Sequence, residues 1–179
     1  MRVTVIGCGD VTKIHRFAGM SESEASDLVD KVGKLLAESG VEIVLVPARG
    51  IPYEVAKAYK KYGGKKVIGA VPFDDVDFGL SHIAEYRHIS DEDINIGDWY
   101  DLNGRIASWS EVAVCIGLSA GVICDIAMLK YHYKYRGSDT KLVVFKNTIS
   151  QPLPKELEEE LKHLHYITSV DELKPFLRP

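Results

Sequence analysis

Residues 111–126, Glu-Val-Ala-Val-Cys-Ile-Gly-Leu-Ser-Ala-Gly-Val-Ile-Cys-Asp-Ile, constrain the fold more than any other stretch of the chain. The apolar run 112–116 has the length of a buried strand, stops at Gly117, and gives way to a helical pattern reaching about Tyr135. A strand, a glycine-containing turn and a helix in that order belong to α/β proteins, with the turn at the carboxyl end of the strand. Such a turn aims backbone N–H groups and the positive end of a helix dipole at one point, which is how these folds hold anions. Gly117, Ser119, Ala120, Gly121 and Val122 are therefore candidate ligand contacts. Asp125, one helical turn past Gly121, is the candidate carboxylate of the same opening. The plainer alternative is that the small residues only let a helix pack closely on a sheet and that Asp125 is solvated.

The same grammar recurs along the chain. Residues 2–8 read as a strand ending in Gly7-Cys8-Gly9, followed by a loop over 10–21. Ser21-Glu22-Ser23-Glu24 supplies N-cap candidates and early acidic residues, and Ala25, Leu28, Val29, Val32, Leu35 and Leu36 then recur at helical spacing up to Gly40. A strand over 41–46, a loop over 47–52, a helix over 53–62 and a strand over 65–72 follow. Residues 73–98 are irregular and acidic, with a short helix expected around 79–86 and a strand near 88–89. A helix over 99–109 leads into the strand at 112–116. Beyond the long helix, the pattern predicts a strand over 141–146, a helix over 154–164, a strand over 166–170 and a final helical turn over 171–177. The expected fold is α/β: a single Rossmann-like domain over 1–179, its mostly parallel sheet of five to seven strands covered by helices on both faces.

Composition narrows the function classes. Hydrophobic residues make up 46% and charged residues 27% of the 179, ordinary values for a globular chain with a full core. Net charge is −4 without a basic block, from which no nucleic-acid partner is expected. No apolar stretch reaches the ~20 residues that span a bilayer, and the N-terminus enters a strand directly, so no membrane association and a cytoplasmic location are expected. The cysteines, Cys8, Cys115 and Cys124, are odd in number and lack a C-x-x-C pair, which favours reduced, buried thiols. Cys124 is the one position where a catalytic thiolate is the alternative, although Ile123 and Ile126 beside it argue for burial. The histidines show no ligand spacing, so no metal is expected.

Two further loops join the first as site candidates. Gly7 and Gly9, with Asp10, Thr12 and Lys13, follow the first strand; Arg49, Gly50 and Tyr53 follow the second. Gly7-x-Gly9 invites a dinucleotide reading, but Thr12 stands where the third glycine belongs and the second strand ends in Val46-Pro47 rather than in an acid. No NAD or FAD cofactor is therefore expected. Lys13, Arg49 and Arg105 are the cations available to a phosphate, Arg105 with surface pairing as its alternative. Tyr131 and Tyr135 share a face of the long helix, a core or subunit contact before a stacking platform.

The layout resembles the LOG-like, or lysine decarboxylase-like, Rossmannoid superfamily (SLOG). The resemblance rests on Gly7-Cys8-Gly9-Asp10, on Gly50-Ile51-Pro52-Tyr53 with Lys66-Val67-Ile68-Gly69-Ala70-Val71-Pro72, and on residues 117–125 in the place of Pro-Gly-Gly-x-Gly-Thr-x-x-Glu. It extends to Ser169-Val170-Asp171-Glu172-Leu173 near the end of the chain. Val122 replaces the family's phosphate-contacting Thr, and Asp125 its catalytic Glu. The resemblance implies a nucleotide or phosphosugar as ligand and a homo-oligomer. Hydrolysis of a nucleotide N-glycosidic bond, with Asp125 and Arg105 as the catalytic pair, is the alternative it implies, and a non-catalytic partner or scaffold protein is another.

Overall fold

The computed structural model describes residues 1–178. Seven strands form one sheet: β1 (Arg2–Gly7), β2 (Glu42–Leu45), β3 (Val67–Val71), β4 (Glu92–Asn95), β5 (Val112–Ile116), β6 (Lys141–Phe145) and β7 (Leu164–Ile167). Their spatial order is β4-β3-β2-β1-β5-β6-β7, and every neighbouring pair is parallel. The chain runs outward from β1 to β4, then returns to lay β5 on the other side of β1, in the register Val3↔Val112 to Gly7↔Ile116. Parallel strands must be covered on both faces, so β2, β3, β5 and β6 read as nearly uninterrupted apolar runs.

On one face, α2 (Glu22–Glu38) and α3 (Ile51–Lys61) pack over β1, β2 and β3. Ser21 is the N-cap of α2 and forms a capping box with Glu24: Glu24 N–H donates to Ser21 Oγ (3.3 Å), and Ser21 N–H to the Glu24 carboxylate (2.8 Å). Tyr59 of α3 is fully buried; its hydroxyl donates to Val41 O (2.6 Å) and accepts from Lys66 N–H (3.1 Å), tying the helix to the starts of β2 and β3. The opposite face carries α5 (Trp99–Arg105) and α6 (Ala120–Tyr135), whose Leu102, Val122, Ile126 and Leu129 sit in the second core. Outward, α6 presents Ile123, Tyr131 and Tyr135, each at least 45% exposed. Among the described residues, no helix is long and apolar enough to cross a membrane.

Several boundaries differ from expectation, each for a physical reason. The loop after β1 contains a helix, α1 (Thr12–Ala18), started by Asp10, whose carboxylate accepts the Thr12 N–H (3.0 Å) and hydroxyl (2.7 Å). Ile14 is its one buried residue, so it left no periodic signal. Residues 73–98 fold as a π-helical turn (Val76–Leu80), α4 (Ser81–Ile83), a 3-10 turn (Arg87–Ile89) and then β4. The strand expected at 88–89 lies later because β4 is an edge strand held by charge: Lys66 pairs with Glu92, and Arg87 Nε with Asp93 (2.6 Å). The helix expected over 99–109 ends at Arg105 and continues as a 3-10 turn, Ile106–Ser108. The helix expected over 154–164 shrinks to α7 (Lys155–Glu158), and β7 starts earlier than expected. The Tyr166 hydroxyl reaches back to Glu158 and Leu153 N–H, so the chain must turn early to lay β7 beside β6. Cys8 and Cys115 are buried as expected, whereas Cys124 is exposed, because the buried face of α6 is set by Val122, Asp125 and Ile126.

Candidate functional site

The order in which strands are added to the sheet reverses between β1 and β5, and at their carboxyl ends the loops part to leave a crevice, the usual ligand position in an open α/β sheet. Two glycines shape it. Gly50, with φ +104°, lets the loop after β2 close on the loop after β1; a Cβ there would lie 2.4 Å from Cys8 O. Gly117, with φ +72°, turns the chain off β5 directly over Cys8 and Ile14. Its N–H donates to Thr148 Oγ1 (2.8 Å), a hydroxyl that itself donates to Phe145 O (2.7 Å), so the end of β6 holds this turn.

Ser119 caps α6, its Oγ accepting the Val122 N–H (3.3 Å). Ala120 and Gly121 lie in the first turn of this 16-residue helix, where backbone N–H groups have no partner within the helix. The crevice of about 140 Å³ beside them is bounded by Gly7, Gly9, Arg49, Pro52, His82, Trp99, Asn103, Ser119, Gly121, Val122 and Asp125. Asp125 is only 7% exposed, and its Oδ1 has no hydrogen-bond partner. Burial pushes its carboxyl up to about 8, so the group is mostly protonated at neutral pH. Cys115, close to it, is buried and its thiol is pushed far up by that burial, which leaves it inert.

The sequence candidates divide between two sides of the wall formed by Gly9 and Arg49. Gly7, Gly9, Arg49, Ser119, Gly121, Val122 and Asp125 meet in the crevice. Asp10, Thr12 and Gly50, again with Gly9 and Arg49, line a larger hollow of about 650 Å³ on the α2–α3 face. Tyr53 points elsewhere, with its hydroxyl 3.3 Å from His88 Nε2 and its ring edge-on to Tyr86. Lys13 borders neither cavity, Ala120 is exposed at the helix start, and Gly117 is buried beneath the turn. Arg105 is exposed at the far end of α5, away from the crevice wall. The aromatic wall residues, His82 and Trp99, were not among the sequence candidates. Their signal was the aromatic spacing of Phe78 and His82 on one turn, hidden within an acidic segment without clear periodicity.

Known proteins share this fold. The SLOG cluster4 family matches residues 1–174. Among solved structures, the Moco carrier protein from Chlamydomonas reinhardtii superimposes with a TM-score of 0.63 at 20% identity, covering 98% of this chain and 96% of that one. The structural-genomics target TM1055 gives 0.69 at 18% identity, covering 98% and 97%. DNA processing protein A from Helicobacter pylori gives 0.55 at 14% identity, covering 99% and 80%, and its structure is described for a single-stranded DNA binding mode. No curated protein matches the chain by sequence. The Helicobacter structure corrects one expectation: a net charge of −4 does not exclude nucleic acid for this fold, because the fold itself serves a single-stranded DNA binder, and net charge says nothing of local potential. With its seven-stranded parallel sheet, its crevice at the β1–β5 switch point and a family match over nearly its whole length, this chain belongs to the SLOG cluster4 family.

Proposed function

We propose that the crevice binds a phosphorylated small molecule, a nucleotide or phosphosugar. The observation that carries this reading is Asp125, a carboxyl 7% exposed with an unpaired Oδ1, in the wall of a cleft that also holds the start of α6. An unsatisfied buried polar atom costs about 1–3 kcal/mol, and such atoms concentrate where a partner arrives from outside. The first N–H groups of α6 suit a phosphate, Arg49 offers a cation at the rim, and Asp125 suits a hydroxyl or ring nitrogen of the same ligand. The cleft is bordered by Gly9 and Gly121 and is not filled by Leu118 or Tyr53, which favours binding over a scaffold that has lost its pocket. The Chlamydomonas structure, a Moco carrier protein, is in keeping with a ligand-holding role.

Calorimetric titration and thermal melts with AMP, ADP-ribose and ribose 5-phosphate test the reading. Saturable binding with a raised Tm is expected; no binding and no shift with all of them would sink it. Gly121→Ala sharpens the test. A Cβ there meets nothing closer than Asn103 Oδ1 at 3.7 Å, so the fold is retained while a methyl group enters the cleft, and affinity is expected to fall at least tenfold.

The protonated state of Asp125 favours a second reading, N-glycosidic hydrolysis. The C1′–N bond breaks as Asp125 gives its proton to the leaving base; water adds its oxygen to C1′, and the proton that water loses returns to the Asp125 carboxylate. Arg105 does not line the cleft, so Arg49, which does, takes the phosphate-holding role in this reading. Base release from AMP that is abolished in Asp125→Asn would support hydrolysis; release unchanged in the variant would remove Asp125 from it.

A further inference from the structure

The acidic excursion between β3 and α5 builds a cluster of three aromatic rings at the rim of the crevice. Phe78 lies nearly parallel to His82, with centroids 5.5 Å apart and an interplanar angle of 21°. Trp99 stands edge-on to both, at 5.2 Å and 85° from Phe78 and at 5.0 Å and 79° from His82. His82 and Trp99 are themselves crevice walls, while Phe78 supports them from outside and stays 53% exposed. Large aromatic surface left in water and held in fixed geometry needs a reason.

Backbone bonds hold the cluster. Asp75 accepts the Phe78 N–H (3.1 Å), and the N–H groups of Gly79, Phe78 and Trp99 together hold its carboxyl below the usual carboxylate range. That carboxylate fixes the turn that carries Phe78. The turn itself is π-helical, closed by the Leu80 N–H to Asp75 O bond (2.9 Å), a rare geometry that recurs at functional sites.

The placement relative to the α6 terminus gives the cluster its meaning. Asn103 follows Trp99 by one turn of α5, about 6 Å along the axis. Its Nδ2 donates to Trp99 O (2.8 Å), which leaves Oδ1 facing Gly121. The aromatic walls and the start of α6 therefore border one crevice, with the unpaired Asp125 carboxyl in the same wall.

We infer that His82 and Trp99, supported by Phe78, form a ring-recognising subsite, so that the preferred ligand carries a planar heteroaromatic ring joined to its phosphate and a bare phosphosugar fills only half of the site. This rests on the crevice being the ligand site and adds to it the class of ligand and the role of residues 73–98. Aromatic side chains hold such rings by stacking irrespective of their edge chemistry, so the subsite selects for a ring before it selects for a particular base.

The experiment titrates the intact chain with AMP, CMP and ribose 5-phosphate, by calorimetry and by Trp99 emission in a Trp109→Phe background. AMP and CMP are expected to bind at least tenfold more tightly than ribose 5-phosphate, and only they should quench Trp99. His82→Ala, at an exposed position, should weaken AMP at least fivefold and leave ribose 5-phosphate unchanged; His82→Phe should restore AMP, because it keeps the ring face and loses only the ring nitrogens. Equal affinity for all three ligands in the parent, or equal weakening of all three by His82→Ala, overturns the subsite while leaving the crevice reading intact. If none of the three binds the parent, the crevice reading fails and takes the subsite with it.

Discussion

At the residue scale, Asp125 governs both chemistry and stability. Its folded carboxyl is pushed up to about 8 from an ordinary value of 3.8, and burial is the cause. Below pH 4 the folded and unfolded chains both hold the proton. Between pH 4 and pH 8 the unfolded chain releases it while the folded chain keeps it, so stability is full in acid and is lost as pH rises through that window. Every pH unit that separates the two titrations is worth about 1.4 kcal/mol, so the loss amounts to several kcal/mol. Asp125→Asn cannot ionise, and urea unfolding should show it matching the parent near pH 4 and exceeding it by at least about 2 kcal/mol at pH 8; parallel pH profiles would contradict the buried, unpaired geometry. Gly50 sets the opposite kind of demand. Gly50→Ala forces a Cβ against Cys8 O and Gly9 at a φ of +104°, and a loss of at least about 2 kcal/mol is expected in the same assay. Asp125 was visible in the sequence as a carboxylate one turn past a glycine; that it is buried and unpaired was not, because burial depends on what packs over α6.

At the element scale, α3 and α6 show two ways in which a helix is fixed. Tyr59 of α3 satisfies a carbonyl before β2 and an N–H before β3, and Tyr59→Phe leaves both buried groups short of a partner. Unfolding free energy should fall by about 1–3 kcal/mol, with ligand affinity unchanged because the bonds lie at the amino ends of the strands, away from the crevice. A weakened ligand affinity in this variant would show that the two ends of the sheet are coupled. The helix α6 is apolar on both faces: one is buried by the second core, and the other leaves Ile123, Tyr131 and Tyr135 exposed. Its start and length were legible from Ser119 and the spacing that follows. The helix α1 was not, since seven residues with one buried side chain carry almost no periodicity.

For the whole molecule, the sheet sets a gradient of stability. β1 is the central strand, flanked by β2 and β5, while β4 and β7 are the edges. Native-state hydrogen exchange should find the slowest amides in β1 and β5 and the fastest strand amides in β4, whose side chains are half-buried or exposed. Slow exchange in β4 would require cover that the described chain does not provide. The sequence by itself determined the α/β class, the parallel strands and the glycine turns, because apolar runs and glycines act through local backbone geometry and simple burial. Residues 111–126 were placed from that alone. Only the tertiary structure decided that the three candidate loops divide between two cavities, that Arg105 and Tyr53 line neither, and that His82 and Trp99 complete the crevice wall. Those outcomes depend on strand order and helix placement, which bring together residues far apart in the chain through contacts that no local pattern encodes.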